Sequence, residues 1–448
     1  MLEVANNPNV RLITYAKVIS VEGNIGNFKV TIEKKPRYVS SEKCNACGEC
    51  ENVCPIYAPN EFDLNLGARK AIYRAFAQAV PSTYTIDDTK CIKCGLCKRV
   101  CEQEAIDYDM KTEYETINVG TIIIASGFRT FDPAGMYGYG KYENVLTQLE
   151  LERLIAPNGP TVGELLRPSD HKHPKRILMI QCVGSRSLKT NPHCSSGVCC
   201  MVAIKNASLI KQHDPDAEVY ITYMDIRAAG KSYEEYYLKS RELGVKYIRG
   251  NVAYVKELPN KNLEIKVENT LSKKVLNLEV DMVILSVAMV PSIGTSQVSE
   301  ILRLELSRDG FLKEFHERLD PIRTKIPGIF ICGAAHGPKS IAESVMQGKA
   351  AASLAKIPIN NRAVELKLIK AVVDPSRCSK CGICVEMCPY SAITIGVNGT
   401  AEVNEILCKG CGTCVSVCRS ESITLRQYRN IAFEEYIDGV FEVDKTVK

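Results

Sequence analysis

Sixteen of the chain's 21 cysteines fall into four runs of identical spacing, and nothing else in the sequence restricts its folding as much. The runs are CNACGECENVC (Cys44, Cys47, Cys50, Cys54), CIKCGLCKRVC (Cys91, Cys94, Cys97, Cys101), CSKCGICVEMC (Cys378, Cys381, Cys384, Cys388) and CKGCGTCVSVC (Cys408, Cys411, Cys414, Cys418). Each reads C-x2-C-x2-C-x3-C. Two residues between ligands let a tight loop wrap three thiolates around one corner of a 4Fe-4S cubane, with the fourth cysteine one helical turn on. Structural zinc sites instead pair two short C-x2-4-C knuckles. A disulfide framework belongs to small exported domains, but this chain has 448 residues, and MLEVANNPNVRL lacks the charged and apolar regions of a signal peptide. Four 4Fe-4S clusters in a cytoplasmic protein are therefore expected.

The spacing is that of bacterial two-cluster ferredoxins, in which the fourth cysteine serves the neighbouring cluster. That likeness groups Cys44, Cys47 and Cys50 with Cys101, and Cys91, Cys94 and Cys97 with Cys54. It likewise groups Cys378, Cys381 and Cys384 with Cys418, and Cys408, Cys411 and Cys414 with Cys388. Proline follows Cys54 and Cys388, whereas Glu102 and Arg419 follow Cys101 and Cys418. The proline shapes a turn and is no ligand, so ligation should hold while potentials differ. Net charge is +5 for the bare chain, and four clusters at about −2 each bring it to about −3. No basic block points to nucleic acid. The apolar runs TIIIASG and MVILSVAMV are too short to span a bilayer.

Between residues 112 and 365 apolar strands alternate with helical stretches, the pattern of α/β layers. INVGTIIIASGFRTFDP, PKRILMIQCVGSR, AEVYITYMDIR and DMVILSVAMVPS each supply a strand, the first of them buried. IPGIFICGAAHGPKSIAESVMQGKAAASLA runs from strand through glycine turn to a helix starting near Ser340. These pieces resemble the thioredoxin and disulfide reductases, two-dinucleotide flavoproteins. The resemblance implies FAD, held by Ser126, Gly127 and Phe128 at one turn and by Gly333, Ala334, Ala335, Lys339, Ser340 and Ile341 at the other. A helix start offers free N–H groups and a favourable dipole to an electron-rich ring. Lys339 is the candidate tuner of the reduced flavin, and Cys332 is expected to be a core thiol. The G-x-G-x-x-G turn that opens such an FAD domain is missing, and EGNIGNF (Glu22–Phe28) reads as a hairpin inside VISVEGNIGNFKVTI. A strand is expected over VRLITYAKVISV, and the chain reads as starting partway through the flavin domain.

A nucleotide-binding loop is also missing after RILMI, where QCVGSRSLKTNPHCSSGVCC places Cys182, Cys194, Cys199 and Cys200. Cys182 ends a strand, Cys194 lies in a loop, and Cys199 and Cys200 start a helix. Strand end, loop and helix start converge at the crevice of a doubly wound fold, so the four can hold a fifth cluster. Adjacent Cys199 and Cys200 make a poor disulfide.

With ferredoxin modules inserted in and following such a flavin fold, the sequence resembles the A subunit of heterodisulfide reductase. KKPRYVSSEKC, RKAIYRAFAQAVP, QCVGSR, HCSSGVCC and GAAHGPKSI carry the likeness, although the gap Ser195–Val198 is one residue longer than the family's. In that family the segment matching Cys182, Cys194, Cys199 and Cys200 binds a 4Fe-4S cluster.

The resemblance implies an α/β, thioredoxin-reductase-like fold with one inserted and one C-terminal two-cluster ferredoxin domain. Residues 1–36, 112–172 and 294–365 would form the FAD domain, 37–111 the inserted ferredoxin, 173–293 a second Rossmann-like domain and 366–448 the C-terminal ferredoxin. It implies FAD-based electron bifurcation, or confurcation, between a two-electron donor, ferredoxin and the CoM-S-S-CoB heterodisulfide. Implied partners are a separately encoded N-terminal half of the A subunit, the B and C subunits of heterodisulfide reductase, and ferredoxin. A hydrogenase, formate dehydrogenase or F420-linked component would bring electrons in, within a dimer of heteromers. Alternatives are the related component of a quinone-interacting membrane complex, an input module of another reductase such as a benzoyl-CoA-type enzyme, and a flavin-free polyferredoxin wire.

Overall fold

The computed structural model describes residues 2–361, 368–428 and 430–445; the domain boundary expected after residue 365 lies outside them. Strands β1 (Ala16–Asn24) and β2 (Asn27–Lys34) form the expected hairpin around Ile25 and Gly26. The strand expected from Val10 onward starts only at Ala16; residues 10–15 are irregular. In β2, Phe28, Val30 and Ile32 are buried while Asn27 and Lys29 are exposed, the period of two of a half-buried strand. Strand β3 (Glu113–Val119) pairs with β2 in a register that sets Lys34 opposite Glu113. The first two cysteine runs therefore sit on an excursion between two neighbouring strands. Strand β4 (Ile122–Ile124) follows.

A second layer is a parallel sheet. It contains β5 (Val145–Thr147), β6 (Arg176–Val183), β7 (Glu218–Tyr223), β8 (Lys246–Arg249) and β9 (Met282–Val287), in the order β5-β9-β6-β7-β8. Helix α1 (Gln148–Ile155) follows β5, and α2 (Val198–His213) joins β6 to β7. Central strands buried on both faces read as continuous apolar runs: Ile177, Leu178 and Met179 of β6 and Met282–Leu285 of β9 are fully buried. Each such side chain stabilises by about 1.5–3 kcal/mol.

Val145–Thr147, within the segment 112–172 expected for the FAD domain, is a strand of this sheet, and α1 follows it. Val145 pairs with Val283, and Thr147 caps α1 in a reciprocal bond with Glu150. A three-residue strand is too short to show a period, so its sheet could not be assigned from sequence.

Strand β10 (Ile329–Ile331) pairs parallel with β4 and leads through a turn at Gly333–Ala335 into helix α3 (Ile341–Asn361). Both strands pack with Phe28, Val30 and Ile32 of β2 in one core. The burial expected for the TIIIASG strand holds at Ile124 but not at Ile123, which is 42% exposed. Among the described residues this sheet has two strands, so one edge of β4 has no partner strand. No described helix is long and apolar enough to cross a membrane.

Candidate functional site: five cysteine cages and a strand-end crevice

The four repeated runs share one backbone path. The residue before the second cysteine and the glycine after it are left-handed in every case. These are Ala46 and Gly48 (φ 59° and 95°), Lys93 and Gly95 (54° and 79°), Lys380 and Gly382 (60° and 77°), and Gly410 and Gly412 (67° and 82°). Left-handed residues set among right-handed ones turn successive N–H groups inward, a cradle for an anion. At Gly410 the glycine is also a steric need, since a Cβ would stand 2.5 Å from the Ile369 carbonyl. The glycine after the second cysteine of each run caps the short helix bearing the third cysteine, and Cys50, Cys97, Cys384 and Cys414 are buried. Cys47, Cys94, Cys381 and Cys411 are exposed, and each cage opens there.

Three of the fourth cysteines cross over. Cys91, Cys94 and Cys97 line one cavity with Cys54, Cys378, Cys381 and Cys384 another with Cys418, and Cys408, Cys411 and Cys414 a third with Cys388. In the remaining cage burial, with repulsion from Cys44 and Cys47, pushes the Cys50 thiol up to about 12. Cys101 packs in the same cluster as Cys44 and Cys50. Donors converge on the sulfurs: Tyr108 lies 3.0 Å from Cys97, and Ser422 3.2 Å from Cys418. The N–H groups of Ala105, Ala392 and Ala371 donate to Cys101, Cys388 and Cys408 at 3.4, 3.3 and 3.5 Å. Thiolates accept such bonds, and hydrogen bonds to the sulfurs raise a cluster's potential. Among the described residues no three His, Cys, Asp or Glu close tightly enough for a single metal ion. A cubane keeps its own irons and sulfides between the thiolates and needs a wider cage, so the residues fit a cluster.

The fifth group lies at the carboxyl end of β6, where the chain continues to β7 on one side while β9 flanks the other. This is the switch-point crevice of an open parallel sheet. Cys182 is left-handed (φ 60°) inside β6, where the register with β9 breaks between Ile180 and Val183. Such a bulge re-aims a side chain at a cost of about 1–3 kcal/mol. Gly184 follows because a Cβ would lie 2.3 Å from the Phe131 ring. Gly197 (φ 79°) caps α2, so Cys199 and Cys200 fall in its first turn. Ser195 accepts the Met289 N–H at 3.0 Å, anchoring the loop beside Cys194. Gln148 donates to the Cys199 carbonyl at 3.2 Å and shares Ser286 with Gln181, whose own Oε1 is buried without a partner.

Cys182, Cys199 and Cys200 sense one another. The hydrogen bond from Cys199 draws Cys200 down to about 7 against burial, with Arg227 and Arg186 adding positive potential, while that bond and burial push Cys199 well up. Arg186 also faces Cys182 and pairs with Asp225 at 2.7 Å. Sequence reading passed over Arg186 and Arg227. Arg186 was visible in QCVGSR, but Arg227 comes from beyond β7 and only the fold brings it near.

The expected FAD contacts gather at the ends of β4 and β10. The Cys332 N–H donates to the Ile124 carbonyl at 3.1 Å, which brings the turn at Ser126, Gly127 and Phe128 beside Gly333, Ala334 and Ala335. Gly127 is left-handed (φ 71°) with open space where a Cβ would stand, while Phe128 and Ile341 are exposed. Two of the expected contacts, Ser340 and Gly333, are already engaged: Ser340 and Glu343 form a capping box at α3, and the Gly333 N–H donates to Gln347 at 2.9 Å. Burial holds the half-buried Lys339 ammonium below its ordinary pKa, opposed by Glu343, Glu314 and Asp309. Beside it His336 Nε2 meets Glu314 at 3.1 Å. Cys332 is buried in the apolar cluster of Phe330 and Ala351. The crevice is open at Gly127, Phe128 and Ile341, and the Gly333 and Ser340 N–H groups are already bonded within the protein.

Paired cysteine cages flanking layered α/β units define an iron–sulfur oxidoreductase. Family comparison agrees: residues 43–106 match the 4Fe-4S dicluster domain, and residues 371–394 and 407–421 match 4Fe-4S binding domains. The chain is 54% identical to the iron-sulfur A subunit of the CoB–CoM heterodisulfide reductase of Methanocaldococcus jannaschii, over 100% of this chain and 69% of that protein. It is 50% identical to an iron-sulfur A subunit of the same enzyme from Methanopyrus kandleri, over 98% of this chain and 68% of that one. The A subunit of the H2/formate:CoB-CoM heterodisulfide,ferredoxin reductase of Methanococcus maripaludis is 49% identical over 100% and 69%. The chain belongs to the family of heterodisulfide reductase A subunits and spans about two thirds of these relatives. A thioredoxin reductase of T. acidophilum covers 55% of this chain and 69% of its own at 19% identity, with a TM-score of 0.35 that carries no argument of its own.

Proposed function

We propose that this chain is the electron-distributing flavoprotein of a cytoplasmic heterodisulfide reductase complex, dividing electron pairs between ferredoxin and the CoM-S-S-CoB heterodisulfide, or merging them in reverse. The observation that carries this reading is the arrangement of cages around the α/β body. One pair interrupts it between β2 and β3. The other adjoins it at a cavity of about 130 Å³, lined by Arg303 and Glu314 on one side and Pro389, Tyr390 and Ser391 on the other. The fifth group of cysteines sits inside it.

Bound FAD would exchange electrons in pairs with one partner and singly with clusters, which carry one each. Around it the protein supplies the Lys339 charge, the His336–Glu314 pair as a place to hold a proton, and cysteine cages of graded polarity. The five cages hold 4Fe-4S clusters with the crossed ligands described above. The small β4/β10 sheet is completed by a polypeptide segment carrying the glycine turn. The B and C subunits take electrons toward the heterodisulfide, and a hydrogenase, formate dehydrogenase or F420-linked component delivers them, in a dimer of heteromers. The test is anaerobic purification of the native complex through a tag on this chain. About 20 Fe per chain from five cubanes, one FAD, and ferredoxin reduction that requires the heterodisulfide are expected. Ferredoxin reduction at full rate without the heterodisulfide refutes the proposal.

A further inference from the structure

Lys370 is 3% exposed, and its ammonium donates to the Cys408 carbonyl at 2.6 Å. No carboxylate among the described residues forms an ion pair with it. A buried charge without a counter-charge is strongly disfavoured, so something anionic belongs nearby. Cys408 supplies the location. Together with Cys388, Cys411 and Cys414 it lines one cage, and the next backbone N–H, that of Ala371, donates to its sulfur. A 4Fe-4S cluster with four thiolates is an anion in both redox states, and more so when reduced.

We propose that Lys370 is the charge-compensating residue of the cluster in the Cys388, Cys408, Cys411 and Cys414 cage, and raises its potential above that of its neighbour. The inference rests on the cluster reading given under the proposed function. A fixed positive charge in a low-dielectric interior favours the more negative of two states. The companion cage of Cys378, Cys381, Cys384 and Cys418 also has a lysine in its lining, Lys380, but that ammonium is exposed and donates to the Asn398 carbonyl at 2.8 Å, and the groups at Cys418 are neutral hydroxyls, Ser422 at 3.2 Å and Ser420 at 3.6 Å. Position gives the difference its meaning. Pro389, Tyr390 and Ser391, which follow Cys388 directly, line the cavity shared with Glu314, the partner of His336. The Lys370 cage is thus the one next to the α/β body, and it becomes the favoured resting place for an electron within the C-terminal pair. Burial next to Cys408 was invisible in sequence, where Lys370 is one lysine among many ahead of a strand.

The test is a redox titration of the anaerobically reconstituted full chain, followed by electron paramagnetic resonance, with iron counted on the same samples. Lys370→Gln keeps a donor for the Cys408 carbonyl and removes the charge; Lys370→Arg keeps the charge. In Lys370→Gln one cluster signal should become about tenfold harder to reduce, roughly 59 mV for a one-electron carrier, at unchanged iron. Lys370→Arg should titrate like wild type. If Lys370→Gln loses about four Fe while Lys370→Arg keeps them, charge is holding the cluster and the proposal stands. Unchanged midpoints in Lys370→Gln at full iron, or iron loss in both variants, overturn it. Failure of the cluster reading would look different: Cys408→Ser with Cys411→Ser would leave the iron content at its wild-type value.

Discussion

Gly197→Ala should empty the Cys182 site without touching a cysteine. Gly197 caps α2 at φ 79°, one residue before Val198 and two before Cys199. A Cβ there would stand 2.7 Å from the Arg227 carbonyl oxygen and 3.2 Å from the Arg227 Cβ. The left-handed backbone costs a non-glycine residue about 1–2 kcal/mol. Pressing a methyl group into a backbone carbonyl adds about 1–3 kcal/mol, the range for overpacking. Gly26→Ala separates the two effects, because Gly26 is also left-handed (φ 88°) but has nothing within 4 Å of its Cβ position. At about 2–4 °C per kcal/mol for a unit of this size, Gly197→Ala should lower the thermal midpoint by roughly 4–20 °C and Gly26→Ala by roughly 2–8 °C. Iron separates them further. To relieve the clash, α2 or the Arg227 segment must shift, which moves Cys199 and Cys200 out of register with Cys182. Reconstituted Gly197→Ala should hold about 16 Fe per chain against about 20 for Gly26→Ala, one cubane fewer. Equal midpoints and equal iron in the two variants would refute the reasoning.

The double variant Cys199→Ser, Cys200→Ser should lose about four Fe and keep the ferredoxin signals; a wild-type chain that stays near 16 Fe after anaerobic reconstitution would remove the fifth cluster. Lys339→Met keeps length and removes charge, so FAD should still bind while its reduced form loses stabilisation and its potential falls in spectroelectrochemistry. An unchanged potential would mean that Lys339 does not face the ring. Burial and the Lys339 ammonium hold His336 below its ordinary 6.5, against the pull of Glu314. The unfolded chain therefore binds more protons as pH falls through 6.5, and stability is lost in that window. Urea midpoints of the apo chain should drop between about pH 7.5 and about pH 5.5, less so in His336→Gln; identical slopes would show that His336 is not the cause.

The cage interiors were legible in the sequence because their geometry is local. Two residues between thiols, a left-handed residue before the second cysteine and a glycine after it determine a loop whatever surrounds it, so the runs at Cys44, Cys91, Cys378 and Cys408 follow one path. The hairpin at Ile25 and Gly26 and the strand–helix pair at Arg176 and Val198 were readable for the same reason: period and punctuation act over a few residues. Contacts between distant segments were decided only by the tertiary structure. Val145–Thr147 joins the parallel sheet through Val283, far along the chain, and three residues show no period. Arg227 reaches Cys200 because β7 lies beside β6. Lys370 is buried with its ammonium on the Cys408 carbonyl, a contact across 38 residues, and a lysine's sequence neighbours do not record whether water can reach its ammonium. Sequence by itself determined which chemical groups the chain carries and how each short loop presents them. Only the packed fold decided which charges stand next to which thiols, because that depends on burial and approach between segments that no local spacing encodes.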